Sequence, residues 1–116
     1  MTPLETARRY VELFNAGQYA EMGALFAEDS VWRPPPPAPE VHGGPAIKAG
    51  YSAPEQAERS SALQIAATRY LVDGSTVVAE LVFSADAHAI EVVDIFDVDE
   101  DGKITCMTAY TRSAPR

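Results

Sequence analysis

The sequence predicts an α+β domain in which short helices come first and an antiparallel β-sheet follows. Apolar residues recur at helical spacing over residues 4–14, whereas four segments of the second half alternate between apolar and polar residues. Asp-Gly pairs at residues 73–74 and 101–102 supply two of the turns that such a sheet needs. The length of 116 residues corresponds to one domain, which we expect to span residues 1–116.

The first helix has clear signals at both ends. Thr2 is the expected N-cap, Pro3 stands at the first helical position, and Glu5 is placed to complete a capping box. The predicted buried stripe consists of apolar residues at helical spacing, namely Leu4, Ala7, Val11 and Phe14. Tyr10 lies on the flank of this stripe, and Asn15-Ala16-Gly17 predicts the end of the helix.

The next part of the first half predicts shorter elements. A second helix is expected over about residues 19–27, followed by a short strand over residues 30–33 that ends at the prolines. Gly44-Pro45 predicts the start of a third short helix, which Pro54 is expected to end.

The second half predicts four strands in succession. They are expected over residues 63–72, 76–83, 89–98 and 104–111. Helices packed into a strongly curved sheet of this kind would leave a conical cavity between the two layers.

Composition and charge exclude several functions. The net charge of −8 would repel a phosphate backbone, so we expect no nucleic-acid partner. No apolar run reaches the length of a membrane span, so we expect no membrane partner. The single cysteine cannot form an internal disulfide, which favours a cytoplasmic location. The spacing of His, Cys and acidic residues indicates no metal site, and we expect no cofactor.

Asp94 is the residue that the strand pattern singles out. Alternation along the third predicted strand places one row of side chains on one face, namely Ile90, Val92, Asp94, Phe96 and Val98. Asp94 is the only polar member of that row. Apolar surroundings penalise the carboxylate, so the pKa of Asp94 should rise and its carboxyl could donate a hydrogen bond at neutral pH. The alternative is that Asp94 merely hydrogen-bonds a backbone group.

The most unusual stretch is VWRPPPPAPEVHGG, residues 31–44. Trp32 and Arg33 stand side by side, and five prolines follow within residues 34–39, which we call the proline segment. Glu40 ends this stiff connection, and exposed carboxylates are common in such loops.

Three stretches together resemble the ketosteroid isomerase-like branch of the NTF2-like (SnoaL-like) superfamily. They are ARRYVELFNAGQYAEMGALFAEDSVW, VHGGPAIKAGY and HAIEVVDIFDVDEDGKITCMTAY, in the family's order. The resemblance implies an NTF2-like cone, with two or three helices packed in a strongly curved antiparallel sheet. It also implies that Tyr10 and a protonated Asp94 form an oxyanion hole for a carbonyl oxygen, a mechanism already described for ketosteroid isomerase. Tyr51 matches a supporting tyrosine, whereas Phe26 replaces another tyrosine of that network.

The sequence departs from the family pattern at the general base. The family carries an aspartate in a V-x-D-P segment, and Arg33 occupies that position here. Arginine stays protonated in proteins and cannot accept the substrate's proton. Glu40 is the strongest substitute base among the nearby carboxylates, and Asp86 and His88 are weaker candidates.

The resemblance implies a steroid delta-isomerase-like enzyme that acts on a small apolar ketone or steroid. An epoxide hydrolase or polyketide cyclase in the same cavity, and a non-catalytic hydrophobic ligand-binding protein, are the alternatives. The expected substrate contacts are Phe26, Trp32, Arg33, Tyr51, Val92 and Phe96. Because family members pair through the open face of the sheet, we also expect a homodimer that uses the row around Glu91, Val93 and Ile95.

Overall fold

The computed structural model describes residues 1–112 as four helices and six strands. The helices are α1 (Pro3–Asn15), α2 (Tyr19–Gly23), α3 (Gly44–Ser52) and α4 (Pro54–Ser61). The strands are β1 (Phe26–Arg33), β2 (Val41–His42), β3 (Gln64–Asp73), β4 (Thr76–Ala85), β5 (His88–Val98) and β6 (Ile104–Arg112). The last four residues of the expected domain, 113–116, lie outside the described residues.

The six strands form one sheet in the order β2-β1-β6-β5-β4-β3. Strands β3 to β6 form the predicted antiparallel meander, and the curled sheet with its helices confirms the predicted α+β cone. One pair differs from a purely antiparallel sheet, because β1 runs parallel to β6. Parallel neighbours need a long crossover, and here the chain supplies it through α3, α4 and the meander.

One predicted boundary was wrong, and one helix was missed. The second helix ends at Gly23 and not near residue 27, and strand β1 begins at Phe26. Backbone pairing with β6 overrides the helical pattern there, since Ile104 N donates to Leu25 O at 2.8 Å. Pro54 begins α4 at its first turn, where its missing N–H costs nothing, and so the polar stretch after it is helical.

Helix α1 packs its apolar stripe into the concave face of the sheet. The predicted capping box is present, with Thr2 Oγ1 accepting from Glu5 N and Glu5 Oε1 accepting from Thr2 N. Tyr10 is buried with the stripe, and the sheet opposes it with small and apolar side chains such as Ala79 and Phe96. The core therefore lies between α1 and the meander.

Two glycines allow α3 to approach its neighbours closely. A Cβ atom on Gly23 would lie 2.6 Å from Lys48 Cα, and one on Gly44 would lie 2.5 Å from Ala27 O. Any side chain at either position would push α3 away from α2 and β1. This close packing fixes the position of Tyr51, which α3 carries into the interior.

Candidate active site

A cavity of about 270 Å³ opens between α1, β1, α4 and strands β4 to β6. Its volume is near the lower end of the roughly 300–1,000 Å³ that is typical of small-molecule sites. The wall is predominantly apolar, with Phe14, Phe83, Val92 and Met107 among its members. Of the described residues that line it, Asp94 is the only one with a carboxyl group, and none carries a positive charge.

Asp94 lies on the inner face of β5, as the alternation predicts. Its residue surface is 1% exposed, and its Oδ2 atom has no hydrogen-bond partner among the described residues. The flanking positions on β4 and β6 are Ala79 and Ala109, whose buried methyl groups offer the carboxyl no polar contact. Burial raises the pKa of Asp94 from 3.8 to about 7, because removal of water penalises the carboxylate.

Tyr10 and Tyr51 form the second polar element of the wall. Their hydroxyl oxygens lie 2.6 Å apart, and both side chains are buried. Burial is the main cause that raises the pKa of Tyr10 well above 10, and the nearby Asp94 and Tyr51 add to it. The pKa of Tyr51 is also raised, chiefly by burial. Both phenols therefore stay protonated and can act as hydrogen-bond donors.

Aromatic contacts fix the orientation of Tyr10. Its ring meets Phe96 edge-on at 5.3 Å between centroids and Phe26 edge-on at 6.3 Å. Neither phenylalanine is among the residues that line the cavity, so these two expected substrate contacts lie behind the wall. Val92, another expected contact, is part of the wall.

Trp32 lies between the main cavity and a second one. Its ring stacks on Tyr51 with centroids 6.5 Å apart and an interplanar angle of 29°. Both residues, together with Gln56, line the main cavity and a neighbouring pocket of about 340 Å³. Trp32 therefore lines the wall of both cavities, and its contact with a ligand stays a prediction.

Arg33 and Glu40 lie away from the cavity wall. Arg33 Nε is 3.2 Å from Glu40 Oε2, and His42 Nε2 is 3.3 Å from Glu40 Oε1. About half of the side-chain surface of both Arg33 and Glu40 is exposed, and neither residue lines the cavity. Asp86 and His88, the weaker base candidates, are exposed at the β4–β5 turn. None of these four residues meets Asp94 and Tyr10 at the cavity.

The sequence patterns did not identify two polar residues of α4 that line the cavity. Gln56 and Ser60 are four residues apart, so they share one face of the helix, and both line the cavity. The sequence patterns predict no helix after Pro54, so this shared face was missed. The signal that identifies the helix is Pro54 itself, read as a first-turn proline.

The described chain offers no obvious metal site. Among residues 1–112, no group of three or more His, Cys, Asp or Glu side chains converges as metal ligands would. In the same part of the chain, every helix is too short or too polar to cross a bilayer.

Solved structures of similar shape support the fold. A steroid delta-isomerase from Pseudomonas aeruginosa has a TM-score of 0.75 and 20% identity, covering 96% of this chain and 80% of its own. The epoxide hydrolase/cyclase-like enzyme SalBIII, from pyran ring formation in the polyether salinomycin, has a TM-score of 0.79 and 18% identity, covering 95% and 90%. A protein from Sphaerobacter thermophilus has a TM-score of 0.79 and 24% identity, covering 98% and 99%.

The sequence itself matches the SnoaL-like domain over residues 7–107. This range contains α1 from Ala7 onward, all of α2 to α4, and the inner strands that carry the buried carboxyl. The chain therefore belongs to the SnoaL-like family.

Proposed function

We propose that this protein is a steroid delta-isomerase-like enzyme whose cavity binds a compact apolar ketone or steroid by its carbonyl oxygen. Tyr10 and protonated Asp94 donate hydrogen bonds to that oxygen, and Tyr51 orients the Tyr10 hydroxyl. The observation that carries the proposal is the carboxyl of Asp94, which makes no hydrogen bond among the described residues and lies in an apolar wall that also holds the tyrosine pair. A buried polar atom without a partner is costly, and a ligand oxygen would satisfy it.

The reaction would proceed through an enolate. A base removes a proton from the carbon between the carbonyl and the double bond, and the released electron pair moves into an enolate with its charge on oxygen. The two donors stabilise that charge, and return of the proton at the far end of the former double bond gives the conjugated ketone. Removing one such donor costs on the order of 10²–10³ in turnover in other enzymes.

No residue of the described cavity wall is placed to accept the proton in this reaction while Asp94 acts as the donor. Asp94 serves as a donor only while it is protonated, and Glu40 is held by Arg33 and His42 outside the cavity wall. Catalysis by Glu40 would require the proline segment to release this ion pair. With water as the acceptor, we expect turnover to be roughly 10²–10⁴-fold lower than with a positioned base.

The decisive experiment measures both binding and turnover. Turnover is followed as the rise in absorbance of the conjugated enone from a 5-ene-3-ketosteroid. Binding of 2-acetonaphthone, whose oxygen only accepts hydrogen bonds, is followed by calorimetry. Asp94→Asn and Tyr10→Phe should weaken ketone binding, and Asp86→Asn, in an exposed turn, is the matched control. Ketone affinity that is unchanged in both cavity variants would sink the proposed binding mode.

A second candidate reaction needs only an acid. An epoxide protonated by Asp94 can be opened by a hydroxyl group of the same molecule, with a C–O bond forming as the epoxide C–O bond breaks and the hydroxyl proton passing to water. The single carboxyl of the wall, whose pKa is raised to about 7, supports this reaction because it could supply the proton without a separate base. An assay of hydroxy-epoxide cyclisation tests it, and loss of that activity in Asp94→Asn is the expected result.

The third possibility, ligand binding without catalysis, predicts ketone binding with no turnover of ketone or epoxide.

The homodimer is proposed separately, through the outer face of β5, where Val93 and Ile95 are half-buried and Glu91 is exposed. Tyr110, which pairs with Val93 and is 57% exposed, extends this face. Sedimentation should give a dimer for the parent and a monomer for Val93→Lys, and a monomeric parent would reject this interface.

A further inference from the structure

Helix α4 brings a second polar group to the cavity, apart from the Asp94–Tyr10 pair. Ser60 is 2% exposed, lies in the cavity wall and belongs to a helix that the proposed reaction does not use. Its Oγ accepts a hydrogen bond from Gln56 Nε2 at 3.1 Å. A hydroxyl also carries one donor hydrogen, and among residues 1–112 no hydrogen bond uses that of Ser60.

The neighbouring serine shows that this is not a general property of the helix. Ser61 Oγ donates to Glu58 O at 2.7 Å and is exposed, so its donor is satisfied by the backbone of the same helix. Ser60 Oγ instead has one of its two lone pairs occupied by Gln56, and its O–H is left for a further acceptor. A buried donor without an acceptor is costly, which favours a ligand atom as the missing partner.

A chain of hydrogen bonds strengthens Ser60 as a donor. Arg59 Nη2 donates to Gln56 Oε1 at 3.0 Å, and Gln56 Nε2 in turn donates to Ser60 Oγ. Each bond polarises the next in the same direction, from the guanidinium to the serine hydroxyl. The Ser60 proton therefore becomes a better donor, and it suits a neutral or negatively charged oxygen of the ligand.

We propose that the ligands of this cavity carry two acceptor oxygens, one held by Asp94 and Tyr10 and the other held by Ser60, with Gln56 as its positioning residue. The substrate class is thus a compact apolar molecule with a second carbonyl, ether or carboxylate oxygen, not a simple monoketone. This inference rests on the proposed function for its first oxygen but not for its second.

The test compares probes that differ only in the second oxygen. The probes are 2,6- and 2,7-diacetylnaphthalene, each paired with the analogue in which one acetyl group is replaced by an isopropyl group of similar shape. Calorimetry gives the affinity ratio within each pair for the parent, Ser60→Ala and Ser60→Thr, with Ser61→Ala as the matched control. Using the ratio removes general effects of a substitution on the cavity.

Loss of one hydrogen bond corresponds to about threefold to tenfold in affinity. For at least one pair we expect Ser60→Ala to lower the diketone preference by that factor, while Ser60→Thr and Ser61→Ala retain it. Gln56→Leu should lower it by a smaller factor. Ratios that Ser60→Ala leaves unchanged in both pairs overturn the second contact.

The two proposals fail in different ways. If ketone affinity depends on Asp94 and Tyr10 but the ratios do not depend on Ser60, the second contact is wrong and the proposed function stands. If the ratios depend on Ser60 but ketone affinity is independent of Asp94, the site at Ser60 stands and the proposed function is wrong. If none of the four probes binds, both are overturned.

Discussion

The cavity wall and the residues that flank the proline segment hold ionisable groups in contrasting surroundings. Asp94 is buried without a hydrogen-bond partner for Oδ2, and its pKa is raised to about 7. Arg33, Glu40 and His42 are exposed to water. The carboxylate of Glu40 lies 3.2 Å from Arg33 Nε and 3.3 Å from His42 Nε2. The proline segment is the stranger sequence, yet the conditions that create reactive groups, burial and a missing partner, are met at Asp94.

The largest expected effect of this difference is on the pH dependence of stability. The folded state raises the pKa of Asp94 from 3.8 to about 7, so the unfolded chain loses its proton first as pH rises. The stability contributed by the neutral carboxyl is complete below about pH 4 and is lost progressively as pH rises to about 7, by roughly 4 kcal/mol in total. Asp94→Asn removes this loss.

Urea unfolding at pH 4 and pH 8 provides the measurement. The stability of Asp94→Asn relative to the parent should increase by up to about 4 kcal/mol between the two pH values. The exposed Asp86→Asn variant should follow the parent at both. Equal pH dependence in the parent and Asp94→Asn would show that the carboxyl is hydrated or paired in solution.

Tyr10→Phe gives the next largest effect. The change keeps the ring contacts with Phe96 and Phe26 but leaves the buried Tyr51 hydroxyl without its partner, which should cost about 1–3 kcal/mol of stability. Affinity for 2-acetonaphthone should also fall, by roughly threefold to tenfold. The exposed Tyr110→Phe should change neither quantity measurably, and a similar loss in that variant would contradict a specific role for Tyr10.

The smallest effects are expected at Arg33 and Glu40. Exposed ion pairs contribute about 0–1 kcal/mol to stability, so Arg33→Ala and Glu40→Gln should each lower the free energy of unfolding by less than about 1 kcal/mol. This loss should vanish at high salt. Ketone affinity and isomerase turnover should change by less than about twofold, because neither side chain lines the cavity and surface substitutions usually change free energies by at most about 0.5 kcal/mol. A hundredfold drop in turnover for Glu40→Gln would instead identify Glu40 as the base and show that the proline segment moves.

Local sequence signals determined much of the fold and one half of the site. The capping box of Thr2 and Glu5 depends on residues three apart, and the inward placement of Asp94 depends only on strand alternation. Both are properties of a short piece of chain, so the sequence predicts them directly. The raised pKa of Asp94 also follows in direction from its apolar row.

Tertiary structure decided the remaining features. The parallel pairing of β1 with β6 ended the second helix early. The close approach of α3 placed the hydroxyl oxygen of Tyr51 2.6 Å from that of Tyr10, which lies 41 positions earlier in the chain. The contact of Arg33 with Glu40, and the exposure of Ser60 to the cavity, likewise depend on where separate elements pack. Side-chain spacing gives the face of an element, but only packing determines what that face meets.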